Sequence, residues 1–222
     1  LRVIMPERKV LVHVSQLPIL KSLTGYIGMK DFRNLIIQAM NESGFHTKGE
    51  VAIKKNQQMQ SIVKHAPGLA MHVLESDSNK CIPCYNDYVI IFEKPGVNPT
   101  PIKDNITRNE WIKYASGCWM ITEEKCDIRE SDTLNTRVAK ADEDVKHICP
   151  LQLEVIRRFM RMYSNAGELI LDPFSGIGST GTICGELGRD YYGIELKEEY
   201  FEESVKNVKN AYERARGKLG VK

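Results

Sequence analysis

Residues 168–196, "ELILDPFSGIGSTGTICGELGRDYYGIEL", constrain the fold of this chain more than any other stretch. A short apolar run is followed at once by Gly176, Gly178 and Gly181 in G-x-G-x-x-G spacing. A helical stretch then stops at Gly188, and a second apolar run follows. Strand, glycine loop, helix and strand form a βαβ unit, which demands a parallel strand pair and an α/β fold. A long amphipathic helix is predicted from "KEEYFEESVKNVKNAYERARGKLG". Glycines at 176 and 178 let the backbone turn sharply and approach a ligand, and the next helix directs its free N–H groups at the same place.

Two ligand classes fit such a loop, and the residues around it discriminate between them. Glu195 ends the second strand, where a carboxylate meets the ribose of an adenosine. NAD and S-adenosylmethionine (SAM) both carry that ribose. NAD, however, sets a doubly negative pyrophosphate against the loop, whereas SAM brings an ammonium, a carboxylate and a sulfonium. Asp172 closes the first strand beside the loop. Like charges ~4 Å apart repel by about 1 kcal/mol in water and about 4 kcal/mol at an effective dielectric of 20. An anion at 172 opposes pyrophosphate and favours a cationic ligand, so the loop is expected to hold SAM.

The rest of the chain is less regular. Strands are predicted at "RKVLVHV" (8–14), "GEVAIKKN" (49–56) and "DYVIIFEKPG" (87–96). A helix is predicted in "KDFRNLIIQAMNESG", with Phe32, Leu35, Ile36, Ala39 and Met40 on one face and Gly44 as its stop. Prolines 95, 99 and 101 open a loop-rich insertion over 97–146, in which Thr107 and Glu110 suggest a capping box. Beyond it, "PLQLEVIRRFMRMYSNAG" places Leu153, Ile156, Phe159 and Met160 on one helix face, with Arg157, Arg158 and Arg161 expected on an exposed one. No run is apolar enough to span a membrane, and nothing resembles a signal peptide, so a cytoplasmic location is expected. The six cysteines are then read as scattered reduced thiols, since Cys81-x-x-Cys84 lacks a second tight pair for zinc, and no metal site is predicted. A net charge of +2 leaves any nucleic-acid surface local.

"DPFSGIGSTG" resembles the D-P-F-x-G-x-G-[ST]-T segment of DNA amino-methyltransferases, and "GIEL" followed by "KEEYFEES" resembles their next segment. The order of segments is similar to that of the permuted beta class, which carries His-Pro-x-Gln-x-Pro just before the glycine-loop strand. Here "HICPLQ" puts His147 in register, while Ile148, Pro150 and Gln152 replace the family's Pro, Gln and Pro. The likeness covers most of the chain and is sharpest from His147 to Glu195. It implies a Rossmann-like SAM-dependent methyltransferase fold, with a central mostly parallel sheet and helices on both faces, incomplete at the N-terminus. It also implies methylation of adenine N6 or cytosine N4 in double-stranded DNA after base flipping. The cofactor residues carried over are Asp172, Pro173, Phe174, Gly176, Gly178, Ser179, Thr180, Glu195 and His147.

The division expected is 1–96 for part of the sheet on the target-base side, 97–146 for target recognition and 147–222 for the SAM unit. The family's catalytic segment, [Asp/Asn/Ser]-Pro-Pro-aromatic, would precede residue 1, and no such tetrapeptide occurs in the sequence. The chain is therefore expected to be the C-terminal portion of a methylase and to be inactive alone. Within "KKNQQMQSIVKH", Lys54, Lys55, Asn56 and Gln58 are the candidate DNA contacts, lysines for phosphates and amides for adenine edges. Trp111, Tyr114 and Trp119 are expected to build a small core, and His13 to be structural. A homodimer is compatible with this reading. Two alternatives stay open: a non-catalytic SAM- or DNA-binding remnant, and an NAD-dependent oxidoreductase resting on the glycines and Glu195.

Overall fold

The computed structural model describes residues 2–26, 28–57, 60, 75, 85–103, 106–121, 127–135 and 151–218. They divide into two compact units: Leu1–Pro101 with Ile112–Asp127, and Ile102–Trp111 with Ile128–Lys222. The chain crosses between them within one short helix, so the stretch 97–146 contributes to both.

The first unit is built on a four-stranded sheet. Its strands are β1 (Lys9–Ser15), β4 (His46–Lys54), β5 (Asp87–Glu93) and β6 (Cys118–Met120), in the order β1-β5-β4-β6. β5 lies between β1 and β4, antiparallel to both, and only the β4–β6 pair is parallel. The nearly unbroken apolar run "YVIIF" suits this inner position, where both faces of the strand are covered. One face packs under helix α2 (Phe32–Glu42), whose Phe32, Ile36, Ile37 and Met40 meet Val14, Phe45, Ile90 and Phe92. Leu35 and Ala39, expected on that face, are exposed, and Ile37 joins it instead. Asp31 caps α2 by accepting from Asn34 N–H, and Gly44 takes φ 87° beyond its end. Between β1 and α2 lies a small hairpin of β2 (Leu17–Ile19), helix α1 (Lys21–Thr24) and β3 (Gly28–Lys30).

Trp119 on β6 is completely buried and donates from Nε1 to Tyr114 O at 3.1 Å. Tyr114 is buried too, whereas Trp111 faces solvent, so the expected aromatic core contains two of the three rings. Tyr114 ends helix α3 (Arg108–Tyr114), which starts in the second unit with the expected capping box: Thr107 N–H donates to Glu110 Oε2 and Glu110 N–H to Thr107 Oγ1.

The second unit follows the βαβ pattern. Helix α4 (Leu153–Tyr163) leads into β7 (Leu169–Asp172), then come α5 (Ser179–Leu187), β8 (Asp190–Gly193) and α6 (Glu198–Lys218). β7 and β8 pair in parallel, Asp172 opposite Gly193. Ile170 and Tyr191 join Met160, Ile183 and Cys184 in one core, while Leu169, Leu171 and Tyr192 lie exposed. Across the described strands, parallel pairing is thus confined to β4–β6 and β7–β8, in two separate sheets.

The arginines of α4 correct the sequence reading. Arg158, expected on an exposed face, is 0% exposed, with its Nε 3.1 Å from Glu154 Oε1. Arg157 bridges Glu154 and Glu186, and Arg161 pairs with Glu110 at 2.7 Å. Periodicity marks the apolar face of a helix, but carboxylates distant in sequence, Glu186 for Arg157 and Glu110 for Arg161, help cover the basic face as well.

Candidate functional site

The glycine loop joins the C-terminal end of β7 to α5. Asp172 Oδ1 accepts from Phe174 N–H at 3.0 Å, a local turn that fixes Pro173 and leaves Phe174 88% exposed. Gly176 and Gly178 take φ of 52° and 88°, a region in which L side chains are strained. Their surroundings differ. Nothing lies within 4 Å of where a Gly176 side chain would begin, so the loop is open there. A methyl group on Gly178 would meet Ser204 Oγ at 2.7 Å, and one on Gly181 the Tyr191 ring at 2.5 Å and Val208 at 2.6 Å. The first glycine therefore leaves room for a ligand, while the other two let β8 and α6 close on α5.

Glu195 ties the loop to the turn after β8. Its Oε2 accepts from Gly176 N–H at 2.8 Å, and its Oε1 from the amides of Leu196 and Lys197 at 3.0 Å. Ser175 N–H donates to Ile194 O and Ile194 N–H to Asp172 O, so the two strand ends are stitched together. Ser179 and Thr180 form the first turn of α5, whose N-cap Gly178 offers no side-chain acceptor. Asp172, Gly176, the α5 amides and Glu195 thus converge on the C-terminal edge of the β7–β8 pair, where α/β folds bind ligands.

Beneath the loop lies a hydroxyl cluster that local sequence pattern does not reveal. Ser175 Oγ is 2.7 Å from Tyr191 Oη and 3.1 Å from Ser204 Oγ. Burial pushes the Tyr191 phenol up to about 12, partly offset by the hydrogen bond to Ser175. A cavity of about 320 Å³ beside it is lined by Ser175, Tyr191, Gly193, Glu195, Phe201 and Ser204 among others. The three hydroxyls come from separate stretches of the chain, since the partners of Ser175 are 16 and 29 residues away. Asp132 escapes the sequence reading for the same reason: from far upstream it caps α4 by accepting from Leu153 and Glu154 N–H. Cys184 is buried in α5, and its thiol is pushed up to about 12, chiefly by burial.

His147 and Gln58 lie outside the described residues, as do Cys81 and Cys84. Among the described residues no group of His, Cys, Asp and Glu could hold a metal ion, and no helix is long and apolar enough to cross a membrane. Lys54 is exposed at the end of β4, and Asn56 is exposed just beyond it. Lys55 instead forms an ion pair with Asp87, a carboxylate only 2% exposed that also sits 2.9 Å from His13 Nε2. Burial by itself would raise the Asp87 carboxyl, but His13 and Lys55 together hold it at about 2. Neighbouring Gln57 is engaged internally, accepting from Tyr85 N–H and donating to Asn86 Oδ1.

A family model described as DNA methylase, N6_N4_Mtase, matches residues 2–206. The chain belongs to this DNA methylase family. Among curated relatives of this family member, the type II methyltransferase M.Cfr9I of Citrobacter freundii is 30% identical over 132 residues, 54% of this chain and 43% of the relative. M.SmaI of Serratia marcescens is 32% identical over 123 residues, 50% of this chain and 42% of the relative. The matches thus span less than half the length of these two relatives. A Thermus thermophilus protein solved in complex with S-adenosyl-L-methionine superposes with a TM-score of 0.70 at 18% identity. The match covers 95% of this chain and 72% of that one. The cytosine-N4-specific PvuII DNA methyltransferase gives 0.59 at 16% identity, covering 94% and 70%. At these identities the superpositions establish the α/β methyltransferase fold.

Proposed function

We propose that this chain binds SAM at the glycine loop and serves a DNA methyltransferase acting on adenine N6 or cytosine N4. The observation that carries the cofactor assignment is the pairing of an open Gly176 with two carboxylates, Asp172 and Glu195, at one strand edge. A pyrophosphate there would face the Asp172 carboxylate, whereas the ammonium and sulfonium of SAM would face complementary charge, and Glu195 serves the ribose that both ligands carry. Gly176, Gly178 and the first turn of α5 at Ser179 and Thr180 shape the floor, Asp172 to Phe174 form one wall, and Glu195 serves the ribose. His147 belongs to the methionine end by its register in the sequence.

Methyl transfer itself is an in-line displacement. SAM held at the loop would supply the methyl group: the exocyclic amine would take it from sulfur, releasing S-adenosylhomocysteine and a proton from the methylated nitrogen. The described residues hold and orient the methyl donor. No [Asp/Asn/Ser]-Pro-Pro-aromatic tetrapeptide for the amine occurs in these 222 residues, so residues 1–222 are expected to bind cofactor without methylating DNA. The stretch 97–146 and Lys54 and Asn56 serve DNA recognition.

Titration calorimetry with SAM and NAD tests the cofactor assignment. SAM should bind at micromolar levels and NAD should not, with Asp172→Ala weakening SAM. NAD binding in preference to SAM, or unchanged SAM affinity in the variant, refutes the assignment. Transfer of labelled methyl groups to DNA by residues 1–222 at an enzyme-like rate refutes the claim about the amine-binding segment.

A further inference from the structure

We propose that the hairpin formed by β2, α1 and β3 engages DNA, with Lys21 and Lys30 on backbone phosphates and Leu23 and Tyr26 pressed against bases. The inference rests on the reading of the chain as part of a DNA methylase, and it assigns to that function a surface outside the cofactor unit.

Charge is the first observation. From Arg8 to Lys30 the sequence holds four cations and no carboxylate. Two of them are occupied inside the unit: Arg8 is buried, with Nη2 donating to Thr100 O, and Lys9 pairs with Glu93. Lys21 and Lys30 are exposed and form no ion pair among the described residues. The nearest carboxylate in sequence, Asp31, is turned to the first turn of α2. Elsewhere in the same unit Arg33, Lys48, Lys55 and Lys113 each have an acidic partner.

Apolar exposure is the second. Leu23 is 80% and Tyr26 57% exposed, and Leu17 is exposed opposite Lys30 in the β2–β3 pair. Local contacts hold the described residues of the tip. Gly25 ends α1 at φ 83°, and Thr24 Oγ1 lies 3.2 Å from Leu20 O and 3.1 Å from Tyr26 O. The Tyr26 ring rests against Gly28, where a side chain would begin only 3.1 Å from Tyr26 Cε2. One side of the ring is thus held by backbone while more than half of the residue faces solvent.

An aromatic ring held in this way, an aliphatic tip and flanking cations make up the equipment for stacking on bases beside a phosphate backbone. A polyanion is the occupant this charge selects. An apolar protein partner would bury Lys21 and Lys30 without compensation.

The test uses the full chain, a fluorescein-labelled DNA duplex and anisotropy titrations at several salt concentrations, with circular dichroism to confirm folding. The double variant Lys21→Gln/Lys30→Gln should reduce the slope of log affinity against log salt by about 0.9 for each lysine removed. Leu23→Ala/Tyr26→Ala should keep the slope and weaken binding about tenfold, while Tyr26→Phe binds like the parent. Parent-like binding by both double variants overturns the hairpin's role and leaves the methylase reading standing. A parent chain that binds no duplex at low salt overturns the DNA assignment altogether. SAM calorimetry, which none of these variants should alter, reports separately on the cofactor reading.

Discussion

Replacing Gly181 by alanine separates the two duties of the glycine loop. In an isolated helix the change would stabilise, since glycine is worse than alanine by about 1 kcal/mol in a helix interior. In this structure the added methyl would lie 2.5 Å from Tyr191 Cε1 and 2.6 Å from Val208 Cγ2. Carbon atoms settle at ~3.5–4.0 Å, so both contacts are too short by about 1 Å. The methyl is caught between β8 and α6, and retreat from one worsens the contact with the other. Overpacking of this kind costs typically about 1–3 kcal/mol, and contact on two sides places it at the upper end. Net of the helix gain, Gly181→Ala should destabilise the second unit by about 2 kcal/mol. Hydrogen exchange of the α5 amides is the direct readout, because it reports the second unit separately from Trp119 and the first. Val208→Ala added to Gly181→Ala should recover part of the loss. An α5 as protected as in the parent, or more so, would show that this glycine is not required for packing.

Three other perturbations probe different parts of the chain. Asp87 titrates at about 2 instead of the ordinary 3.8, so the unfolded chain takes up its proton more readily. Each tenfold difference in proton affinity is worth about 1.36 kcal/mol, so this carboxylate contributes about 2 kcal/mol, complete above about pH 4 and gone as the pH falls through 2. Urea melts across that range should show the loss, and Asp87→Asn should flatten it. Glu195→Gln keeps one oxygen acceptor but loses the charge-assisted bonds to the loop amides, and calorimetry should show SAM affinity falling about tenfold or more. Under native conditions iodoacetamide should modify exposed Cys118 and leave Cys184 intact, because burial holds the latter as a thiol. Peptide mapping by mass spectrometry reads both sites at once.

Much of the fold is legible in local pattern, and for a definite reason. β1, β5 and β7 are short apolar runs bounded by turn residues, α2 carries a 3.6-residue apolar rhythm with Gly44 at its end, and Thr107 with Glu110 is a four-residue signal. Each depends only on neighbours along the chain. Local pattern fails where partners are distant. Charge spacing puts the basic face of α4 in solvent, yet Glu110 and Glu186 reach it from other elements. Composition suggests a phosphate contact for Lys55, yet its ammonium rests on Asp87, which enters from another strand.

The sequence by itself determined the βαβ unit, the sharp turns at Gly176 and Gly178 and the acidic character of the loop's surroundings, because spacing, backbone freedom and charge are properties of residue order. Only the tertiary structure decided which glycine does what. Gly176 faces open space, whereas Gly178 and Gly181 sit against Ser204, Val208 and Tyr191, residues brought there by the fold. It likewise decided that Glu195 binds the loop's own backbone and that Lys21 and Lys30 are left facing solvent while Lys9, Lys48, Lys55 and Lys113 are paired. Such assignments depend on distances between elements remote in sequence, and a linear pattern carries no record of them.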